Sequence, residues 1–142
     1  MDEALLETLK AAVQKPFSER AFLAAYVFGS RVSGRPRPDS DLDVGYYLAG
    51  YLRGESLPLK EEMLLASRLS EAVGVEVDLR NLADAPLELK GRVLEEGTRI
   101  FSGNDVDRVG LERDLLARYH DYKDVFRQRH ELRLKRIAEH GL

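Results

Sequence analysis

Apolar and polar positions follow two rhythms along this chain. Leu5, Leu6, Leu9 and Val13 recur at helical spacing behind the acidic Asp2 and Glu3, which suit the positive end of a helix dipole. Pro16 is expected to lie just beyond the end of that helix. Residues 24–28 are an apolar run closed by Gly29, the pattern of a buried strand. A loop rich in Ser, Gly, Pro and Arg fills 30–40, and 41–47 reads as a second strand. Gly50, Gly54 and Pro58 mark a longer connection.

Leu59, Met63, Ala66, Leu69 and Val73 then predict a second amphipathic helix, with Glu61 and Glu62 in its first turn and Gly74 as its cap. Val75, Val77 and Leu79 alternate with Glu76, Asp78 and Arg80, a third strand with one apolar and one polar face. Asp84 and Pro86 open a short helix that Gly97 ends, and 98–101 forms a short fourth strand. A long final helix, about 106–140, carries Leu111, Leu115, Tyr119, Tyr122 and Phe126 on one face. Tyr119, Tyr122 and Phe126 are expected to be core contacts for the sheet. The alternation predicts one α+β domain over 1–142, a sheet with helices packed on it. It leaves the strand order open.

Composition narrows the classes. The chain has 142 residues, 44% hydrophobic and 33% charged, which suits a folded domain with its own core. Cysteine is absent, which excludes disulfides and thiolate metal sites and fits a cytoplasmic location. No apolar run approaches membrane-spanning length, and the N-terminal residues do not resemble a secretory signal. Formal net charge is −3, from 22 basic and 25 acidic residues, so direct nucleic-acid binding is not expected of the whole chain. Arg127, Arg129, Arg133, Lys135 and Arg136 make a basic tail diluted by Glu131; it reads as a solvated helix end or as a docking element.

The candidate chemistry lies between Phe28 and Val44. Asp41 and Asp43 are two apart on the predicted second strand, so both side chains should leave the same face. Two carboxylates held that way repel each other unless a cation bridges them. A hard cation such as Mg²⁺ takes carboxylate and phosphate oxygens together, and two ions roughly 3.5–4 Å apart clamp an in-line phosphoryl displacement. An Asp-x-Asp pair alone reads equally as a solvent-facing pair. Gly29 lets the backbone turn sharply beside a ligand, where amides and the Ser30 hydroxyl can hold phosphate and Arg31 can add a charge-assisted contact. Asp78, on the polar face of the third strand, is a candidate third carboxylate that activates an acceptor hydroxyl, or a solvated surface residue beside Glu76 and Arg80.

Gly29-Ser30, ten residues, then Asp41-Leu42-Asp43 resembles the motif of the DNA polymerase beta-like nucleotidyltransferases. The spacing and the preceding Asp39-Ser40 resemble its minimal nucleotidyltransferase branch, which includes antitoxins paired with HEPN-domain toxins. Val77-Asp78-Leu79, Glu95-Glu96-Gly97 running into Arg99-Ile100-Phe101, and Tyr119-His120-Asp121-Tyr122 extend the likeness in order and spacing. Two departures are Tyr46 and Tyr47, where aliphatic residues are more usual, and the basic tail.

The resemblance implies a nucleotidyltransferase fold, with a mixed sheet whose catalytic strands are central. It implies that Gly29 and Ser30 bind the nucleotide, beside which Arg31 remains a candidate contact, that Asp41, Asp43 and Asp78 are catalytic and hold Mg²⁺, and that ATP is the substrate. It further implies AMP transfer to a tyrosine of a partner HEPN-domain toxin. The rivals are an antitoxin that masks its partner without chemistry, and a small-molecule adenylyltransferase of the aminoglycoside-modifying kind. The latter usually carries an additional helical domain, for which this length leaves little room.

Overall fold

The computed structural model describes residues 2–29 and 41–140. In chain order they form α1 (Glu3–Glu19), β1 (Phe22–Phe28), β2 (Leu42–Leu48), a short 3-10 turn (Tyr51–Arg53), α2 (Leu59–Val73), β3 (Val77–Asn81), α3 (Leu87–Glu96), β4 (Thr98–Ser102) and α4 (Asp105–His140). The strands make one mixed sheet in the order β3-β2-β1-β4. β1 runs antiparallel to both β2 and β4, while β2 and β3 are parallel. The parallel pair requires a crossover, and α2 supplies it. The expected α+β sheet with helices on it is therefore present. β2 is central as expected, but β3, which carries Asp78, is an edge strand.

Strand alternation sends residues to two cores. Leu42, Val44, Tyr46 and Leu48 of β2 face one way and pack with Leu9, Val13 and Phe17 of α1 and Leu65 and Leu69 of α2. Tyr47 faces the other way, with Tyr26, Leu82, Val93 of α3, and Leu111 and Leu115 of α4. The two unusual tyrosines thus serve opposite layers. The Tyr46 hydroxyl donates to Glu62 of α2, and burial is the main reason its proton is held far more tightly than in free tyrosine.

Three expectations are corrected. α1 does not stop before Pro16 but runs through it to Glu19. Pro in a helix interior costs about 3 kcal/mol, from a lost hydrogen bond and a clash one turn back. Phe17, the next residue, is fully buried, stacked on Phe22 at 4.1 Å and edge-on to Phe101 at 5.7 Å. Burying such a ring contributes about 1.5–3 kcal/mol and each ring pair about 0.5–1.5 kcal/mol more, enough to offset the break. In α2 the buried residues are Leu65 and Leu69, whereas Leu59 and Met63 are exposed. In α4, Tyr119 is buried, but Tyr122 and Phe126 are 43% and 63% exposed and touch no sheet core.

α4 is seated by polar and apolar contacts together. The Tyr26 hydroxyl donates to Glu112 at 3.1 Å, and buried Arg108 donates to the same carboxylate at 2.5 Å and to the Ser102 hydroxyl at 2.9 Å. One carboxylate thereby satisfies two buried donors from different elements. No helix of the described residues is long and apolar enough to cross a membrane.

Candidate active site

The site is set by where two strands end and begin. Phe28, the last residue of β1, pairs with Asp43 in β2, so the chain leaves β1 at Gly29 directly over that carboxylate. Gly29 has φ +91°, a conformation that side chains disfavour, and a β-carbon there would overlap Oδ2 of Asp43. Both constraints select glycine. Ser30 and Arg31, expected to contact nucleotide, lie outside the described residues, as do Arg35, Arg37, Asp39 and Ser40.

Asp43 and Asp78 are direct partners in the parallel β2–β3 register. They leave the sheet on the α3–α4 side, because Leu42 and Val44, and Val77 and Leu79, point into the opposite core. Neighbouring strands lie about 4.8 Å apart, so two like charges stand side by side. Asp41 is exposed and sits one residue before β2 rather than within it. Its neighbour Leu42 opens the strand by donating to the Glu76 carbonyl at 2.8 Å. Burial of half-exposed Asp43, then the charges of Asp78 and Asp41, raise its pKa, and only Arg80 acts the other way. Asp41 and Asp78 are therefore both within electrostatic reach of Asp43.

That arrangement suits a cation. The donors are all carboxylate oxygens, which match a hard ion such as Mg²⁺, and their mutual repulsion is relieved by positive charge. Among the described residues no group of three or more His, Asp or Glu side chains converges as a ready-made cage. Mg²⁺ commonly uses one or two carboxylates together with substrate phosphates and waters.

Two hollows open near these strands, one beside Gly29 and one along α2. One, of about 190 Å³, is lined by Phe28 and Gly29 and by Leu89, Arg92, Val93 and Glu96 of α3. The other, of about 650 Å³, runs along α2 and ends at Asp78, with Met63, Ser67, Glu71 and Glu76 on its walls. Two arginines join the neighbourhood that sequence reasoning did not assign to it. Arg80 shares a strand face with Asp78, which the alternation shows, although its influence on Asp43 depends on the β2–β3 pairing. Arg92 faces the Gly29 hollow from α3, and no local pattern signals that approach. Further along α4, His120 lies 3.4 Å from Glu95, and His130 stacks on Phe126.

Known structures share this architecture. A toxin–antitoxin crystal structure with AMP-PNP superposes with a TM-score of 0.63 at 18% identity, over 91% of this chain and 98% of the other. A structure of tri-AMPylated Shewanella oneidensis HEPN toxin in complex with MNT antitoxin gives 0.59 at 17% identity, over 94% and 98%. A structure described as a minimal nucleotidyltransferase gives 0.55 at 29% identity, over 68% and 94%. At their identities the first two likenesses establish the fold. No curated protein matches the chain. The family described as Polymerase beta, Nucleotidyltransferase matches residues 10–106, more than half of the chain's 142 residues. This chain belongs to the polymerase beta nucleotidyltransferase family.

Proposed function

We propose that this chain transfers AMP from ATP to a tyrosine hydroxyl of a partner HEPN-domain toxin, and so acts as its antitoxin. The observation that carries the reading is the Asp43–Asp78 register with Gly29 closing over Asp43. It supports a reading in which phosphate meets the Gly29 backbone and the acceptor lies beside Asp78. The toxin–antitoxin structure with AMP-PNP and the structure of an AMPylated HEPN toxin with its MNT antitoxin support the choice of nucleotide and acceptor by likeness of fold.

In this mechanism the backbone at Gly29, with Ser30 and Arg31, holds the triphosphate. Asp41, Asp43 and Asp78 would hold Mg²⁺, which when bound neutralises phosphate charge and sets the reacting groups in line. Asp78 takes the proton of the acceptor hydroxyl. The acceptor oxygen bonds to the α-phosphorus, the bond from that phosphorus to the bridging oxygen breaks, and pyrophosphate leaves. Positioning and charge neutralisation supply most of the acceleration in such transfers. The chain would work in the cytoplasm, where ATP and such a toxin are found together.

The test is the intact mass of a HEPN-domain partner incubated with this chain, ATP and Mg²⁺. A gain of one or more adenylate units, absent with Asp43→Ala, is the expected result. An unmodified partner that is nonetheless silenced would instead favour masking without chemistry.

A further inference from the structure

The C-terminal half of α4 carries an aromatic and apolar face that the body of the protein leaves uncovered. Arg108, Leu111, Leu115 and Tyr119 are the buried residues of this helix, spaced three and four apart along the face turned to the sheet. The same face continues past the body with Tyr122, Phe126, His130 and half-buried Ile137. The Tyr122 and Phe126 rings are 6.3 Å apart, and Phe126 and His130 stack at 6.5 Å with planes 3° apart. A hollow of about 410 Å³ opens at the root of this stripe, between its aromatic rings and Glu88 at the start of α3. An apolar stripe that runs beyond its own core is a common mark of a surface meant for a partner.

Charge specifies what that partner presents. At 3.6 residues per turn, Arg129, Arg133 and Arg136 fall on or beside the aromatic stripe. Asp121, Asp124, Glu131 and Glu139 fall on the opposite side. A second copy of this helix laid face to face would bring two sets of arginines together with no carboxylate on either face. Nucleic acid would meet the arginines and could stack bases on the rings, but it would leave Ile137 unused and be repelled by Asp121, Asp124, Glu131 and Glu139 behind them.

We infer that this face docks a helix of another protein, one with an apolar stripe flanked by Asp or Glu. The helix α3 borders both this hollow, through Glu88, and the hollow at Gly29, through Leu89, Arg92, Val93 and Glu96. A protein seated on the stripe therefore lies one short helix from the nucleotide end of the site. That this partner is also the acceptor rests on the transfer reading above; the docking face itself does not.

The experiment uses the full chain and two stapled helical peptides of about 20 residues, long enough for a stable amphipathic face. They share an apolar stripe and differ only in Glu or Lys flanks. The Glu-flanked peptide is expected to bind at least about tenfold tighter at low salt, with the preference shrinking as salt is raised. The triple variant Arg129→Glu, Arg133→Glu, Arg136→Glu should invert the preference, and Phe126→Ala should weaken both peptides. Circular dichroism and metal-dependent ATP binding should be unchanged in both variants. The inference is overturned if the folded wild-type chain binds neither peptide or binds both equally. It is also overturned if a single-stranded RNA binds this face more tightly, or if the chain forms a dimer that Phe126→Ala dissolves. Docking retained without adenylate transfer would count against the transfer reading alone.

Discussion

Gly29 lies so close over Asp43 that a β-carbon on the first would overlap Oδ2 of the second. The backbone there also has φ +91°. β1 and β2 are antiparallel neighbours with Phe28 opposite Asp43, so the sheet register brings Gly29, the residue after β1, to that carboxylate. The residue that follows β1 thus sits over a carboxylate of β2.

Gly29→Ala should accordingly injure the site more than the fold. A left-handed alanine costs on the order of 1 kcal/mol, a shift of a few degrees in melting temperature. Pushing the Asp43 carboxylate aside should cost transfer about a hundredfold or more, the scale of a lost electrostatic contact in a preorganised site. Thermal melts and single-turnover transfer rates would check both. A rate within a few fold of wild type would show that the overlap is relieved without moving Asp43.

Nucleotide and metal should stabilise the protein together. Acidic side chains with raised repulsion offer little to a triphosphate by themselves, while Mg²⁺ joins the two. At about a hundred times the dissociation constant, ligand binding to the native state adds about 2.7 kcal/mol, a rise of several degrees. ATP with Mg²⁺ should produce that shift, and ATP with excess chelator should not. Equal shifts under both conditions would mean that the nucleotide is held without the carboxylates.

The residues that were legible in the sequence share a feature: their placement follows from local period. Asp78 opposite Val77 and Leu79, Gly29 after an apolar run, and the long helix over Leu111 and Leu115 all come from alternation or helical spacing. What local period cannot supply is partnership. The Asp43–Asp78 register depends on β3 joining β2 in parallel across α2, and Arg92 reaches the Gly29 hollow only because α3 packs there. Pro16 shows a local rule outweighed by the burial of Phe17. Tyr122 and Phe126 keep the periodicity of a buried face although the body ends before them, and nothing in the spacing marks where it ends.

Gly91 tests how α4 is held. A β-carbon at this α3 position would fall into the ring of Tyr119, so the two helices approach through the absence of a side chain. Gly91→Ala gains about 1 kcal/mol of helix propensity but overpacks a filled contact, which typically costs about 1–3 kcal/mol. The expected net effect is a loss of up to about 2 kcal/mol, read from urea unfolding. Gly91→Ala combined with Tyr119→Leu should recover part of it, because the two changes share one contact. A stabilised single variant would mean that the helices separate freely at this point.

Asp43→Asn should stabilise the protein free of metal near neutral pH, even as it abolishes transfer. Burial and then the charges of Asp78 and Asp41 raise the folded-state pKa of Asp43 above its ordinary value of 3.8. Folding therefore favours the protonated carboxyl, and the unfolded chain releases that proton at lower pH than the folded one. The sign follows: the favourable contribution is present below the ordinary value and is lost as pH rises through the folded value. Above that value the wild type carries the full penalty of an ionised, crowded carboxylate, and asparagine carries none. Melting temperatures of the two proteins should converge toward acid pH and separate in favour of Asp43→Asn toward neutral pH. Adding Mg²⁺ with ATP should reverse the order, because the charge that destabilises the metal-free protein is the charge that would hold the cation. A variant less stable than wild type at neutral pH in chelator would remove the electrostatic account of this site, since the carboxylate would then be paired rather than repelled.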